Sequence, residues 1–212
     1  CSRAKSVDVL VGEEEHQQGR NGASSRTKSA DAEARRERAL QLSSGMASTA
    51  PCRAHNRLIM AANGSAQVLE AFERFGSGFD GCNLSTALSR IAKFAEVGDR
   101  PNAQACARLR AAVPSKLHEF AMRHACSVVW SLGKLSVRDT TLLQAVATLI
   151  TKRFREMSPK DLGMASWGFA NTRFRHAAAL SAMGAMAVDK KELLAPTELA
   201  NVLWGFATLQ FR

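Results

Sequence analysis

Five histidines, five cysteines and nineteen Asp and Glu residues are the groups with which this 212-residue chain could hold a metal or catalyse a reaction. The histidines stand at His16, His55, His118, His124 and His176, and no two share the H-x-x-x-H spacing that sets a pair of imidazoles on one helix face. Cys1, Cys52, Cys82, Cys106 and Cys126 are scattered and odd in number, and they contain no C-x-x-C pair. That pattern argues against a zinc ribbon and against a disulfide framework. His124 and Cys126 are two apart on a predicted helix and so point to different sides; Cys126 reads as a small core residue rather than a thiolate nucleophile. The chain has no phosphate-cradling G-x-x-x-x-G-K-[ST] loop, no G-x-S-x-G elbow and no acidic pair in an apolar setting. The expectation is therefore not an enzyme, with no catalytic or metal-binding residues, no cofactor and no small-molecule substrate.

Periodic cations point elsewhere. Arg138, Arg175 and Arg212 are evenly spaced (175 − 138 = 37 and 212 − 175 = 37), and Lys+Arg 29 against Asp+Glu 19 gives a net charge of +10. Such a balance suits a polyanionic partner, and equally a protein that is merely soluble. No apolar run approaches the length of a membrane span, so no membrane is expected.

The elements that must position those arginines carry one phrase written three times: HACSVVWSLGKL, DLGMASWGFANT and ELANVLWGFATL. Trp130, Trp167 and Trp204 are the only tryptophans and keep the same interval (167 − 130 = 37 and 204 − 167 = 37). A fixed period of this size is the signature of stacked repeats. Met122, Pro159 and Pro196 stand eight before each Trp, and the prolines suit a first helical turn. Ser158 with Asp161 three residues on resembles a capping box. A weaker copy lies in NLSTALSRIAKF, with Ser89 at the Trp position and four extra residues expected near Pro114 (130 − 89 = 41). The spacing predicts Trp helices at about 123–135, 159–172 and 196–209, and partner helices at about 139–156 and 176–193. Upstream, SAQVLEAFERF, NLSTALSRIAKFAEVG and NAQACARLRAAV read as further helices.

The fold class that follows is all-α: an α-solenoid of antiparallel helix pairs, none able to bury its apolar face alone. About four units are expected over residues 57–212. Residues 1–56 are polar and mixed in charge and are expected to be disordered, with a short solvated helix over 31–42. Opening on Cys1 and stopping at Arg212 just after a repeat helix, the chain reads as a piece of a longer, C-terminally truncated array.

Counted from Trp, offsets −3, +1 and +4 share one helical face. They hold Thr86, Arg90 and Lys93; Ser127, Ser131 and Lys134; Met164, Gly168 and Asn171; and Asn201, Gly205 and Thr208. Stacked, these would form one polar stripe beside Arg138, Arg175 and Arg212, with small hydrogen-bonding side chains for base edges and cations for phosphates. A solvated helix face explains the same pattern. Lys152, Arg153 and Arg155, with Arg173 and Arg175, are phosphate contacts or simply cations favoured at helix C-termini. The tryptophans read as packing residues rather than nucleobase platforms.

The phrases SPKDLGMASWGFANT and APTELANVLWGFATL resemble the octotricopeptide and heptatricopeptide repeats of organellar RNA-binding proteins. They are also similar to the helical repeats beside FAST-kinase-like and RAP domains. The resemblance covers residues 65–212, with the fullest pattern at 196–204; the Ser89 unit lacks Trp, and the Trp130 unit lacks Pro and Leu-Ala-Asn. It implies an α-solenoid that binds single-stranded RNA and acts in RNA processing, stability, editing or translation. It also implies a mitochondrion or chloroplast, with other RNA-processing proteins as further partners. The alternatives are a protein-interaction scaffold of the HEAT or TPR type and a targeting arm of an enzyme.

Overall fold

The computed structural model describes residues 50–211. The expectations placed on residues 1–49, the helix over 31–42 included, and on Arg212 lie outside the described residues.

The described residues form helices α1 (Ala50–Ala61), α2 (Ser65–Phe75), α3 (Gly81–Glu96), α4 (Ala103–Ala112), α5 (Met122–Lys134), α6 (Thr140–Arg153), α7 (Pro159–Asn171), α8 (Ala177–Asp189) and α9 (Pro196–Thr208), with no strand among them. The odd-numbered helices stack side by side in one layer: α1 on α3, α3 on α5, α5 on α7 and α7 on α9. The even-numbered helices form the second layer, α2 against α4 and α6 against α8. The 3-10 segment Pro114–Glu119 bridges α4 and α6. The result is an all-α solenoid of helix pairs, with one apolar core running from Ile59 to Leu209.

Local chemistry repeats with the fold. The second-layer helices α4, α6 and α8 are capped by Asn102, Asp139 and His176, 37 apart (139 − 102 = 37 and 176 − 139 = 37). Asn102 Oδ1, Asp139 Oδ1 and His176 Nδ1 accept the N–H of Ala105 (2.9 Å), Leu142 (3.1 Å) and Ala179 (3.1 Å). Three different side chains do one job, because any short acceptor satisfies an orphan N–H of the first turn. In the first layer the third helical residue reaches back to the N-cap N–H: Asn83 to Asp80 (3.3 Å), His124 to Ala121 (3.3 Å) and Asp161 to Ser158 (2.9 Å). Ser158 Oγ in turn accepts from Asp161 N (3.2 Å), completing the expected capping box.

Each first-layer helix from α5 onward ends the same way. Ser136, Arg173 and Gln210 have φ of 54°, 49° and 50°, and the next residue donates back across the turn. These bonds are Val137 N to Leu132 O (2.9 Å), Phe174 N to Phe169 O (3.0 Å) and Phe211 N to Phe206 O (3.0 Å). This is the Schellman closure, with its hydrophobic contact made by Phe169 against Phe174 and Phe206 against Phe211.

The structure corrects three expectations. The helical unit starts at Ala50, not near Arg57: Cys52 and Ile59 are buried under α3, although residues 50–56 are too polar to read as core on their own. The four extra residues lie between α3 and α4, not near Pro114. The interval from Asp80 to Asn102 is 102 − 80 = 22, against 139 − 121 = 18 and 176 − 158 = 18 in the next two units. The expected partner helices each end early in a 3-10 turn, Phe154–Glu156 and Lys191–Leu193. These turns carry the chain to Met157 and Leu194, the counterparts of the buried Phe79 and Phe120.

Candidate nucleic-acid interface

Neighbouring first-layer helices approach closely, and that fixes which of their residues remain outside. A Cβ on Gly168 would meet Val129 O at 2.5 Å, and one on Gly205 would meet Ser166 O at 2.7 Å. Ser131, at the same offset, is fully buried and donates to Ser127 O (2.8 Å). The +1 positions therefore face the preceding helix and not the outside, which corrects the expected −3, +1, +4 stripe. The outward face is −7, −3, 0 and +4, so that Trp itself stands on it.

That face reads Cys82, Thr86, Ser89 and Lys93 on α3; Arg123, Ser127, Trp130 and Lys134 on α5; Lys160, Met164, Trp167 and Asn171 on α7; and Thr197, Asn201, Trp204 and Thr208 on α9. None of these residues is buried. Trp130 and Trp167 are half-buried against each other, ring centroids 6.5 Å apart and tilted by 39°, and Trp204 is 46% exposed. Trp130 and Trp167 thus pack between repeats, as expected, and all three tryptophans sit at the surface rather than in the core.

The candidate residues divide into two groups. Arg90 is committed: its Nη2 donates to Ala62 O (2.7 Å) and its guanidinium lies 4.6 Å from the Phe94 ring centroid, tying α1 to α3. Ser127 Oγ lies 2.5 Å from Ser89 Oγ across the α3–α5 boundary. Lys134 pairs with Glu96 and sits between two rings, 5.5 Å from Trp130 and 4.8 Å from Trp167. Lys93, Arg138, Asn171, Arg175 and Thr208 are exposed and Asn201 is half-buried. Asn171 Nδ2 donates to Trp167 O (2.9 Å), and Arg175 lies 5.9 Å from the Phe211 ring centroid.

The structure adds two cations that the offsets missed, Arg123 and Lys160. Both are exposed at the N-terminal ends of their helices and have no ion pair among the described residues. Their shared −7 position was visible in the sequence once the true register was known. They stand about 16 Å from the +4 positions along the helix axis, eleven residues at about 1.5 Å each. Arg123 and Lys160 on one edge and Lys93 on the other thus flank the tryptophans, with Lys134 on that second edge already paired with Glu96. Arg138 and Arg175 follow in the loops beyond the second edge.

Other basic residues serve the scaffold. Arg153 Nη1 donates to Phe120 O (2.8 Å) and its Nη2 pairs with Glu156 (2.6 Å); Lys190, 37 residues on, donates to Met157 O. His124 is held neutral. Burial first, and then the Arg123 charge, lower its pKa to about 4. Since Nδ1 accepts from Ala121, the proton sits on Nε2, and the approach of Arg123 Nε to Nε2 (3.2 Å) is not a second bond. Burial pushes the Cys126 thiol well above its ordinary range, the reverse of what a thiolate nucleophile needs.

Among the described residues, no group of three or more His, Cys, Asp and Glu is placed to hold a metal, and no helix is long and apolar enough to cross a membrane. Residues 50–211 carry 20 Lys and Arg against 12 Asp and Glu, so 20 − 12 = +8 of the net charge belongs to the helical unit. The chain matches no protein-family model and no curated protein.

Proposed function

We propose that the helical unit is a single-stranded RNA-binding repeat module of the octotricopeptide kind, acting in organellar RNA processing, stability, editing or translation. One observation carries the reading: the sixteen outward positions of α3, α5, α7 and α9 hold four cations, three of them with no ion pair among the described residues, three tryptophans and no carboxylate. A face serving only as solvated surface would mix both signs of charge. Cations flanking aromatic rings are what a single strand requires, with phosphates neutralised at the edges and bases against the rings. Mitochondrial or chloroplast action rests on the resemblance of the repeat phrases.

The alternative is a protein scaffold on the same fold.

The test is binding of the full chain to a random single-stranded RNA pool, with duplex DNA as control, at about 50 and about 200 mM salt. The expected result is enriched single-stranded sequences, with log affinity falling by about 0.7 per log salt for each phosphate contacted. A folded sample that ignores single strands at both salts would overturn the RNA reading in favour of the scaffold.

A further inference from the structure

We propose that the unit built on α3 and α4 replaces the aromatic platform with a pocket for one unpaired nucleobase; this rests on the RNA reading above. Two irregularities coincide in this unit. Ser89 stands where the later units have Trp, and the connection from α3 to α4 is four residues longer than theirs. The longer connection does not close over α5. It leaves a cleft of about 360 Å³ between the α3–α4 loop and the end of α5. This size lies at the lower end of the range for small-ligand sites.

The cleft has the amphipathic lining a base needs. Ala95, Pro101, Leu135 and Val137 give it apolar walls. Its polar groups have capacity to spare. Arg110 donates through Nε to Asp139 Oδ2 (3.3 Å), and its Nη groups have no partner among the described residues. Asp99 accepts from Ser65 N through Oδ2 (2.6 Å), which leaves Oδ1. Donor and acceptor together suit the edge of a heterocycle better than a simple anion. Arg100, exposed at the mouth, has no ion pair among the described residues and is placed for the phosphate of the same nucleotide.

The cleft is also continuous with the outward face. Lys134 lines it and at the same time lies over Trp130 and Trp167. A strand stacked along Trp204, Trp167 and Trp130 that reaches α3 finds no further ring, because Ser89 is engaged with Ser127. Its next base turns into the cleft. Stacking along the ridge tolerates any base, whereas the cleft offers hydrogen bonds that distinguish one base from another.

The experiment uses the full chain and an RNA taken from the pool selection. A single abasic site is moved along the strand, and affinity is measured for the native chain and for Ala103→Phe. Ala103 is exposed at the start of α4 and lines the cleft, so the larger ring fills it without entering the core. In the native chain the abasic position that faces the cleft, like those on the ridge, is expected to cost about tenfold, the scale of losing one base contact. With Ala103→Phe that position becomes neutral while the others keep their cost. Arg110→Gln repeats the measurement without adding bulk, and thermal melting establishes that both variants fold. Abasic profiles that coincide in the native chain and both variants overturn the pocket and leave RNA binding standing. A native chain that binds no single strand overturns both, and the two failures are told apart by the native chain alone.

Discussion

Gly168 lies against the carbonyl of Val129 so closely that a Cβ would stand 2.5 Å from its oxygen and 2.7 Å from its carbon. The obstacle is backbone, which cannot rotate away, so the contact sets the spacing of α5 and α7. Gly168→Ala is therefore expected to destabilise by about 3 kcal/mol, the upper range for overpacking a core. Gly184, within α8, is the control. There a Cβ meets only the half-buried Phe206 ring at 3.3 Å. Gly184→Ala should stabilise by up to about 1 kcal/mol through helix propensity. Thermal melts of the two single variants, moving in opposite directions, check the pair.

Arg173 occupies the left-handed region at φ 49°, at the turn that closes α7. A side chain there costs about 1 kcal/mol relative to glycine, which favours this conformation at helix ends. Arg173→Gly should raise the unfolding free energy by roughly that amount and Arg173→Val should lower it, both read from denaturant melts. A variant pair showing no such opposition would mean that the turn is not held as described.

Acid should weaken the fold through His124. Its folded pKa is about 4, lowered by burial and then by Arg123, against an ordinary value of 6.5. Above pH 6.5 the ring is neutral whether the chain is folded or not. Between pH 6.5 and 4 the unfolded chain takes up a proton that the folded chain refuses. Stability from this group therefore falls as pH falls, by at most about 1.4 kcal/mol per pH unit. His124→Asn keeps the cap, since Asn83 makes the same bond one repeat earlier. The melting temperature of this variant should drop less between pH 7 and 5 than that of the native chain.

Cations at the outward edges and cations in the scaffold should separate in their effects. Arg123→Ala and Lys160→Ala should each reduce the salt slope of single-strand binding by about 0.7 and leave the melting temperature nearly unchanged. Arg153→Ala, which unties the Phe120 carbonyl and Glu156, should lower stability by about 1 kcal/mol and leave the slope alone. Equal effects of all three on binding would remove the distinction between edge and scaffold.

Period and chemistry were legible in the chain by itself. Trp130, Trp167 and Trp204 announce the repeat, Pro159 and Pro196 mark helix starts, and Ser158 with Asp161 forms the cap that their spacing suggests. These depend on local rules: helical periodicity and the satisfaction of first-turn N–H groups act within a few residues. The same locality explains what stayed hidden. Whether offset 0 or +1 faces outward turns on which neighbour each helix packs against, and the close approach at Gly168 and Gly205 is a contact between repeats 37 and more residues apart in sequence. Arg90 and Lys134 looked like free cations because Ala62, Glu96 and Trp167, which engage them, come from outside their own helices. Sequence alone thus determined that the chain is a repeating helical array. Tertiary packing decided which of its cations remain free to meet a partner, because a charge is spent or spared by the neighbours that only stacking supplies.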